Sequence, residues 1–176
     1  MTILRKAAYL LPVMLLAACG PQGADNDGGE AIALAAPIVY TDAEKAEIQK
    51  TFPAPYNTAD LAAGEKQFNK CRACHTITPD GMNLTGPHLF GVFGRKAGTS
   101  SGYPYSDAMR KHGVVWDYAA LDTFIKAPQA TVKGTKMGYP GVPDDTDRRN
   151  LIAYIKLMSA PKASAPATSE SASAGQ

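Results

Sequence analysis

Residues 71–75 read Cys71-Arg72-Ala73-Cys74-His75, a CxxCH pattern that obliges the chain to bring two thiols and an imidazole onto one short stretch of backbone. Thiols at this spacing can add across the vinyl groups of a haem, and the adjoining imidazole is delivered to the iron, so the pattern signals covalent haem attachment. A CxxC also serves as a redox dithiol or as half of a zinc site. Zinc would need two further ligands, and the histidines, His75, His88 and His112, include no pair at ligand spacing. A thioredoxin-like dithiol sits near a strand-helix-strand pattern, which this sequence lacks.

The third cysteine belongs to different chemistry. Arg5 and Lys6 precede an apolar run at residues 7–18, the layout of a secretory signal, and that run is too short to cross a bilayer as a permanent helix. Leu16-Ala17-Ala18-Cys19-Gly20 resembles the lipobox of bacterial lipoproteins, where cleavage leaves a lipidated cysteine as the first residue; an ordinary signal with a chance Cys19 is the alternative. Residues 1–18 are therefore expected as a lipoprotein-type signal peptide and Cys19 as the lipidation site. Lipid on Cys19 and thioethers on Cys71 and Cys74 account for all three cysteines, so no disulfide is expected. Several acyl chains together anchor stably where one holds marginally.

Composition divides the remainder. Residues 20–40 are rich in Gly, Ala, Asp and Pro without periodicity, and residues 161–176 form a Ser/Ala/Pro tail, so both read as disordered. Thr41 followed by Glu44 suits a capping box, placing a short helix near residues 42–50 that Pro53 and Pro55 then end. Residues 19–56 thus read as a lipidated cysteine and flexible acidic linker, and residues 57–160 as one globular domain. The linker carries 6 acidic against 2 basic side chains, and the domain 13 basic against 9 acidic. An acidic linker is expected to stay solvated, because exposed charges are screened within about 8 to 10 Å at physiological salt. No basic run points to nucleic acid.

Within the domain the apolar spacing is helical, with no sustained alternation of period two. Leu61, Gly64, Phe68 and Cys71 share one helical face that runs into the CxxCH motif, with Asn57 or Thr58 as its cap. Leu151, Tyr154, Ile155 and Met158 form a second stripe after Asp144 and Asp145. Gly64 would let the two helices cross closely. Residues 106–112 closed by Gly113, and 117–127 closed by Pro128, read as shorter helices. A bundle of this kind, joined by long Gly- and Pro-rich loops, needs something to organise those loops. A central haem would do so.

A second iron ligand has to come from far along the chain. Met1 and Met14 leave with the signal, Met82 lies too soon after the motif, and Met158 belongs to a core stripe. Met109 and Met137 remain. A methionine is most often a core filler, but Met137 lies in Lys133-Gly134-Thr135-Lys136-Met137-Gly138-Tyr139-Pro140-Gly141, whose glycines let the backbone press a thioether against a flat ring. Sulfur opposite His75 would raise the reduction potential and close the iron to small molecules.

From Gly64 to Tyr154 the chain resembles a class I cytochrome c, near the mitochondrial and bacterial cytochrome c2 branch. The resemblance rests on Gly64 and Phe68, Cys71-x-x-Cys74-His75, Gly86-Pro87-His88-Leu89, Gly91 to Gly98, Tyr105-Ser106-Asp107-Ala108, Trp116, Gly134-Thr135-Lys136-Met137 and Leu151-Ile152-Ala153-Tyr154. It implies an all-α fold: a small cytochrome c fold with crossing N- and C-terminal helices, and shorter helices and loops wrapped around one covalent haem c. It further implies that Cys71 and Cys74 form the thioethers, that His75 and Met137 are the axial iron ligands, and that the Pro87 carbonyl orients His75. Arg95, Tyr105 and Trp116 would hydrogen-bond the haem propionates. Leu89, Leu121, Phe124, Thr135 and Tyr154 would wall the pocket. Phe124 stands where mitochondrial relatives place a Tyr, and Met109 where they carry an Asn beneath the haem. Pro143, Asp144 and Asp145 replace a lysine-rich stretch of the docking face, leaving Lys70, Lys96, Lys133 and Lys136 there.

The expectation is a monomeric one-electron carrier, not an enzyme, on the periplasmic side of a bacterial envelope. It would be held to the lipid bilayer by its acyl anchor, inner or outer membrane being left open by Gly20. Its partners would be membrane redox complexes of a respiratory or photosynthetic chain, a quinol:cytochrome c oxidoreductase and a terminal oxidase or other acceptor. A 38-residue tether would reach roughly 30 to 35 Å. The alternative is peroxidase or gas-sensing activity through loss of the Met137 ligand.

Overall fold

The computed structural model describes residues 39–160. The signal peptide, Cys19, most of the acidic linker and the tail at 161–176 lie outside the described residues. The all-α class holds: the ordered elements are helices α1 (Asp42–Lys50), α2 (Leu61–Phe68), α3 (Asp107–His112), α4 (Tyr118–Lys126), α5 (Pro128–Thr131) and α6 (Asp145–Met158). A 3₁₀ turn, Tyr56–Thr58, precedes α2, and one isolated bridge pairs Lys96 with Val115.

The two apolar stripes do what their period requires. α2 and α6 cross at Gly64, where a Cβ would stand 2.2 Å from the Asn150 carbonyl oxygen and 2.8 Å from Cβ of Tyr154. Phe68, Leu151 and Ile152 are at most 1% exposed beside this crossing. The cap of α2 is Asp60, whose Oδ1 accepts from the Ala63 amide at 2.9 Å, and not Asn57 or Thr58. Those two residues are consumed by the 3₁₀ turn, and Ala59, extended at ψ 149°, swings Asp60 into the capping position. The Asp60 amide in turn donates to Oδ1 of Asn150 at 3.0 Å, tying the start of α2 to α6.

The shorter helices begin and end largely on expected signals. Ser106 caps α3 and Gly113 closes it in the left-handed conformation at φ 69°. Asp117 caps α4, which stops at Lys126; Pro128 then starts α5 instead of merely ending α4, since proline suits a first helical position. Arg148, 3% exposed, binds α4 to α6. Its Nε donates to Asp122 at 2.8 Å, Nη2 to Asp145 at 2.6 Å, and Nη1 to the Val142 and Pro143 carbonyls at 2.9 and 3.0 Å. A cation so deeply buried is tolerated only with this degree of pairing.

The folded body starts before residue 57. The Thr41–Glu44 capping box forms as expected; α1 keeps its charged face in solvent, but the residues that flank it are docked. Tyr40 and Phe52 are buried with Ala59, Ala153 and Leu157, so the segment around α1 packs on α6. Gln49 Nε2 donates to the Ala59 and Tyr56 carbonyls at 2.6 and 3.2 Å. Apolar burial of Tyr40 and Phe52 outweighs the screened charges from which a free linker was expected.

Candidate functional site

Residues 69–75 continue α2 as tight turns. The Cys74 and His75 amides donate to the Cys71 carbonyl at 3.0 and 2.9 Å, which puts both thiols and the imidazole on one coil of backbone. The Gly86 amide donates to the Cys74 carbonyl at 2.8 Å and the Leu89 amide to the Thr76 carbonyl at 2.8 Å, drawing the following loop back over the motif. His75 is held inside this turn: Nδ1 lies 2.7 Å from the Pro87 carbonyl. A carbonyl only accepts, so Nδ1 carries the hydrogen and Nε2 keeps its lone pair. Burial depresses the His75 pKa against the opposing effect of the Pro87 bond, which favours the neutral ring. Gly86 is obligatory beside it, because a Cβ there would stand 2.3 Å from Cε1 of the ring.

Burial pushes the Cys71 thiol up to about 11, with Lys70 opposing and Cys74 adding to the shift. A redox dithiol depends on a thiol poised toward the thiolate, so this environment does not suit one. Among the described residues no three His, Cys, Asp or Glu side chains converge as metal ligands. Two thiols and one imidazole with a free Nε2, on one turn, fit covalent haem.

The remaining expected residues border one core. Trp116, Leu121 and Phe124 belong to it, and Cys71, Leu89, Tyr105 and Met137 pack half-buried against it. Thr135 is buried, and its Oγ1 accepts from the Met137 amide at 3.3 Å. Met109 lies within the core in α3, while Met137 is on its border. Trp116 contacts Phe124 at 5.2 Å between ring centroids. Arg95 donates from Nη2 to the His88 carbonyl at 2.8 Å and from Nη1 to the Phe90 carbonyl at 3.1 Å. Burial raises the Tyr105 phenol, and the nearby Arg95 charge opposes this. Tyr154 packs at a tilt against Phe68, 5.5 Å between ring centroids, and its hydroxyl accepts from Arg72 at 3.1 Å, so it fastens α2 to α6.

Sequence reasoning did not assign three of the residues that shape this region. Asn83 accepts from the His88 amide at 2.9 Å and donates to the Ser101 carbonyl at 2.8 Å, folding the loop after the motif. His88 faces Ser100 Oγ at 3.2 Å. Gln129 donates to two carbonyls of the Met137 loop, those of Met137 at 2.8 Å and Thr135 at 3.1 Å. No periodicity marks any of them. On the acidic stretch, Asp144 caps α6 through the Asp147 amide at 2.8 Å, and Asp145 pairs with Arg148 and, at 3.6 Å, with Lys126. Both carboxylates therefore have structural work.

Comparison with known proteins places the same region among relatives. A family model described as Cytochrome c matches residues 61–159. A protein named cytochrome c2 from Rhodoblastus acidophilus is 48% identical over 101 residues, covering 57% of this chain and 94% of the relative. One named cytochrome c-type cyt cy from Rhodobacter capsulatus is 48% identical over 102 residues, covering 57% of this chain and 50% of the relative. Cytochrome c of Kluyveromyces lactis is 38% identical over 104 residues, covering 58% and 94%.

Proposed function

The chain belongs to the cytochrome c family, and from that premise we propose that it is a membrane-tethered one-electron carrier on the periplasmic side of a bacterial envelope. It is an electron carrier with covalently bound haem c, not an enzyme. Bound, haem c supplies a reversible one-electron iron couple.

In this reading Cys71 and Cys74 would make the thioethers, and His75 and Met137 would ligate the iron. The observation that carries it is the fixed imidazole: Pro87 accepts from Nδ1 at 2.7 Å and Gly86 clears space for the ring, leaving Nε2 free to ligate. Orientation by a carbonyl also makes a ligating histidine more basic. Arg95, Tyr105 and Trp116 hold the propionates, and Leu89, Leu121, Phe124 and Thr135 exclude water. The protein acts as a monomer, with exposed Lys70, Lys96, Lys133 and Lys136 steering it to acidic membrane partners. Those partners are a quinol:cytochrome c oxidoreductase and a terminal oxidase or other acceptor.

Acyl chains on Cys19 supply the tether. Docking of the segment from Tyr40 onward leaves residues 20–39 between the proposed lipid anchor and the docked segment. Confinement of this kind raises the effective concentration at membrane partners.

Denaturing electrophoresis with haem staining is expected to show haem travelling with the chain in membrane fractions, and Cys19→Ser is expected to move it to the soluble fraction. Loss of stain on denaturation, or membrane retention of the variant, would overturn the covalent cofactor or the anchor respectively. Carbon monoxide should bind the native ferrous protein poorly; ready binding would replace the simple carrier with a peroxidase or gas-sensing protein.

A further inference from the structure

We propose that Gln129 is a positioning residue: its side-chain amide latches the Met137 loop and sets how often the loop opens. The inference rests on the reading of Met137 as the second iron ligand.

The loop is poorly restrained without this latch. Gly134 and Gly141 adopt φ of 89° and 109°, and Lys133, Gly134, Lys136, Gly138 and Pro140 are exposed. The Thr135 and Val142 amides fix the two ends on the Val132 and Ile125 carbonyls at 2.9 Å each, but at residues 136–141 no backbone amide donates to a backbone carbonyl of the described residues. The Met137 amide reaches only Thr135 Oγ1, and Lys136 Nζ reaches out to the Pro104 carbonyl. The Met137 carbonyl has one donor, Gln129 Nε2 at 2.8 Å, and the same nitrogen donates to the Thr135 carbonyl at 3.1 Å.

Chemistry fixes which end of the amide faces the loop. Both partners are carbonyl oxygens, so only the NH₂ end satisfies them, with one hydrogen for each. The platform is firm. Pro128, beside Gln129, is fully buried, and Thr131 Oγ1 donates to the Thr123 and Ala127 carbonyls at 3.0 Å each. Gln129 therefore connects the short helix α5 to a Gly-rich strap, and it grips the strap at the residue whose sulfur must stay in place. Gln129 itself is exposed, so its loss should leave the core untouched. Loss of a latch of one or two hydrogen bonds raises an open population about 5- to 30-fold.

The test uses the haem-loaded protein and two variants: Gln129→Leu, which removes the donor, and Gln129→Arg, which keeps one and stays protonated. The ferrous protein is mixed with carbon monoxide, the far-red thioether-to-iron absorbance of the ferric protein is recorded, and denaturant unfolding is followed by circular dichroism. Gln129→Leu is expected to bind carbon monoxide about 5- to 30-fold faster than wild type with its unfolding midpoint unchanged, and Gln129→Arg to return close to the wild-type rate. A wild-type rate in Gln129→Leu, a rise matched by a lowered unfolding midpoint, or no rescue by Gln129→Arg would each overturn the latch. Absence of the thioether absorbance from wild type would instead overturn Met137 as the ligand, and the latch with it.

Discussion

The imidazole of His75 occupies the space that a side chain on Gly86 would need, 2.3 Å at Cε1, 2.7 Å at Nδ1 and 2.8 Å at Nε2 from an ideal Cβ. Gly86 therefore belongs to the proposed haem-attachment site although it contributes no functional group. Its amide, donating to the Cys74 carbonyl at 2.8 Å, keeps the loop in that contact.

Gly86→Ala forces the ring or the loop to move and breaks the alignment of His75 with Pro87. Overpacking of this kind costs about 1 to 3 kcal/mol. The expected outcome is less thioether-linked haem per chain and a weaker far-red thioether absorbance in what remains. Undiminished haem staining with an unshifted spectrum would contradict the contact.

Gly64→Ala opposes two effects. Alanine favours an isolated helix by roughly 0.5 to 1 kcal/mol, but its Cβ would meet the Asn150 carbonyl at 2.2 Å, and backbone cannot step aside as a side-chain tip can. The clash, about 1 to 3 kcal/mol, should win. A denaturant midpoint that falls while the slope of the transition holds is the expected result; a midpoint that rises would show the crossing to be looser.

Phe52→Ala tests the docked N-terminal segment. Phe52 is buried with Tyr40, Ala153 and Leu157 and contacts Tyr118 at 6.3 Å between ring centroids. Its truncation should cost about 3 kcal/mol in urea unfolding. A cost under about 0.5 kcal/mol, typical of free surface positions, would return the segment to the linker.

Asp145→Asn has a pH signature with a definite sign. Arg148, and then Lys126, hold the Asp145 carboxyl below its ordinary value of 3.8. A depressed folded-state value means that the pair stabilises the protein above the unfolded value and that this contribution is lost as pH falls through the folded one. Wild type should therefore exceed Asp145→Asn in denaturant midpoint at pH about 6, and the gap should close as the pH is lowered below about 3.8. A gap that persists at low pH would assign the effect to something other than the carboxylate charge.

How much of this was legible beforehand varied with the range of the interaction. Cys71, Cys74 and His75 are adjacent, so their chemistry is written in five residues. The stripes Leu61-Gly64-Phe68 and Leu151-Tyr154-Ile155 declare a period near 3.6, which forced an all-α reading and correctly placed Gly64 at a close approach. Local signals misled where a neighbouring turn intervened. Asn57 and Thr58 are good cap residues, yet the 3₁₀ turn used them and passed the cap to Asp60. The segment from Tyr40 to Phe52 reads as charged linker because its few apolar residues are thinly spread, and only the presence of α6 shows where they go.

Asp144 and Asp145 read in sequence both as the start of the last helix and as a change in docking charge; the structure has Asp144 capping α6 and adds the pairing of Asp145 with Arg148. Arg95 likewise reaches the His88 and Phe90 carbonyls, an arrangement no motif predicts.

The sequence by itself determined the cofactor chemistry and the helical class, because both follow from residues fixed at short covalent intervals. Tertiary structure decided which side chains hold those pieces in place: Pro87 on His75, Asn150 against Gly64, Gln129 on the Met137 loop. The reason is physical. A hydrogen bond or a steric limit depends on where two groups stand in space, and loop closure sets that distance without leaving a repeat in the chain.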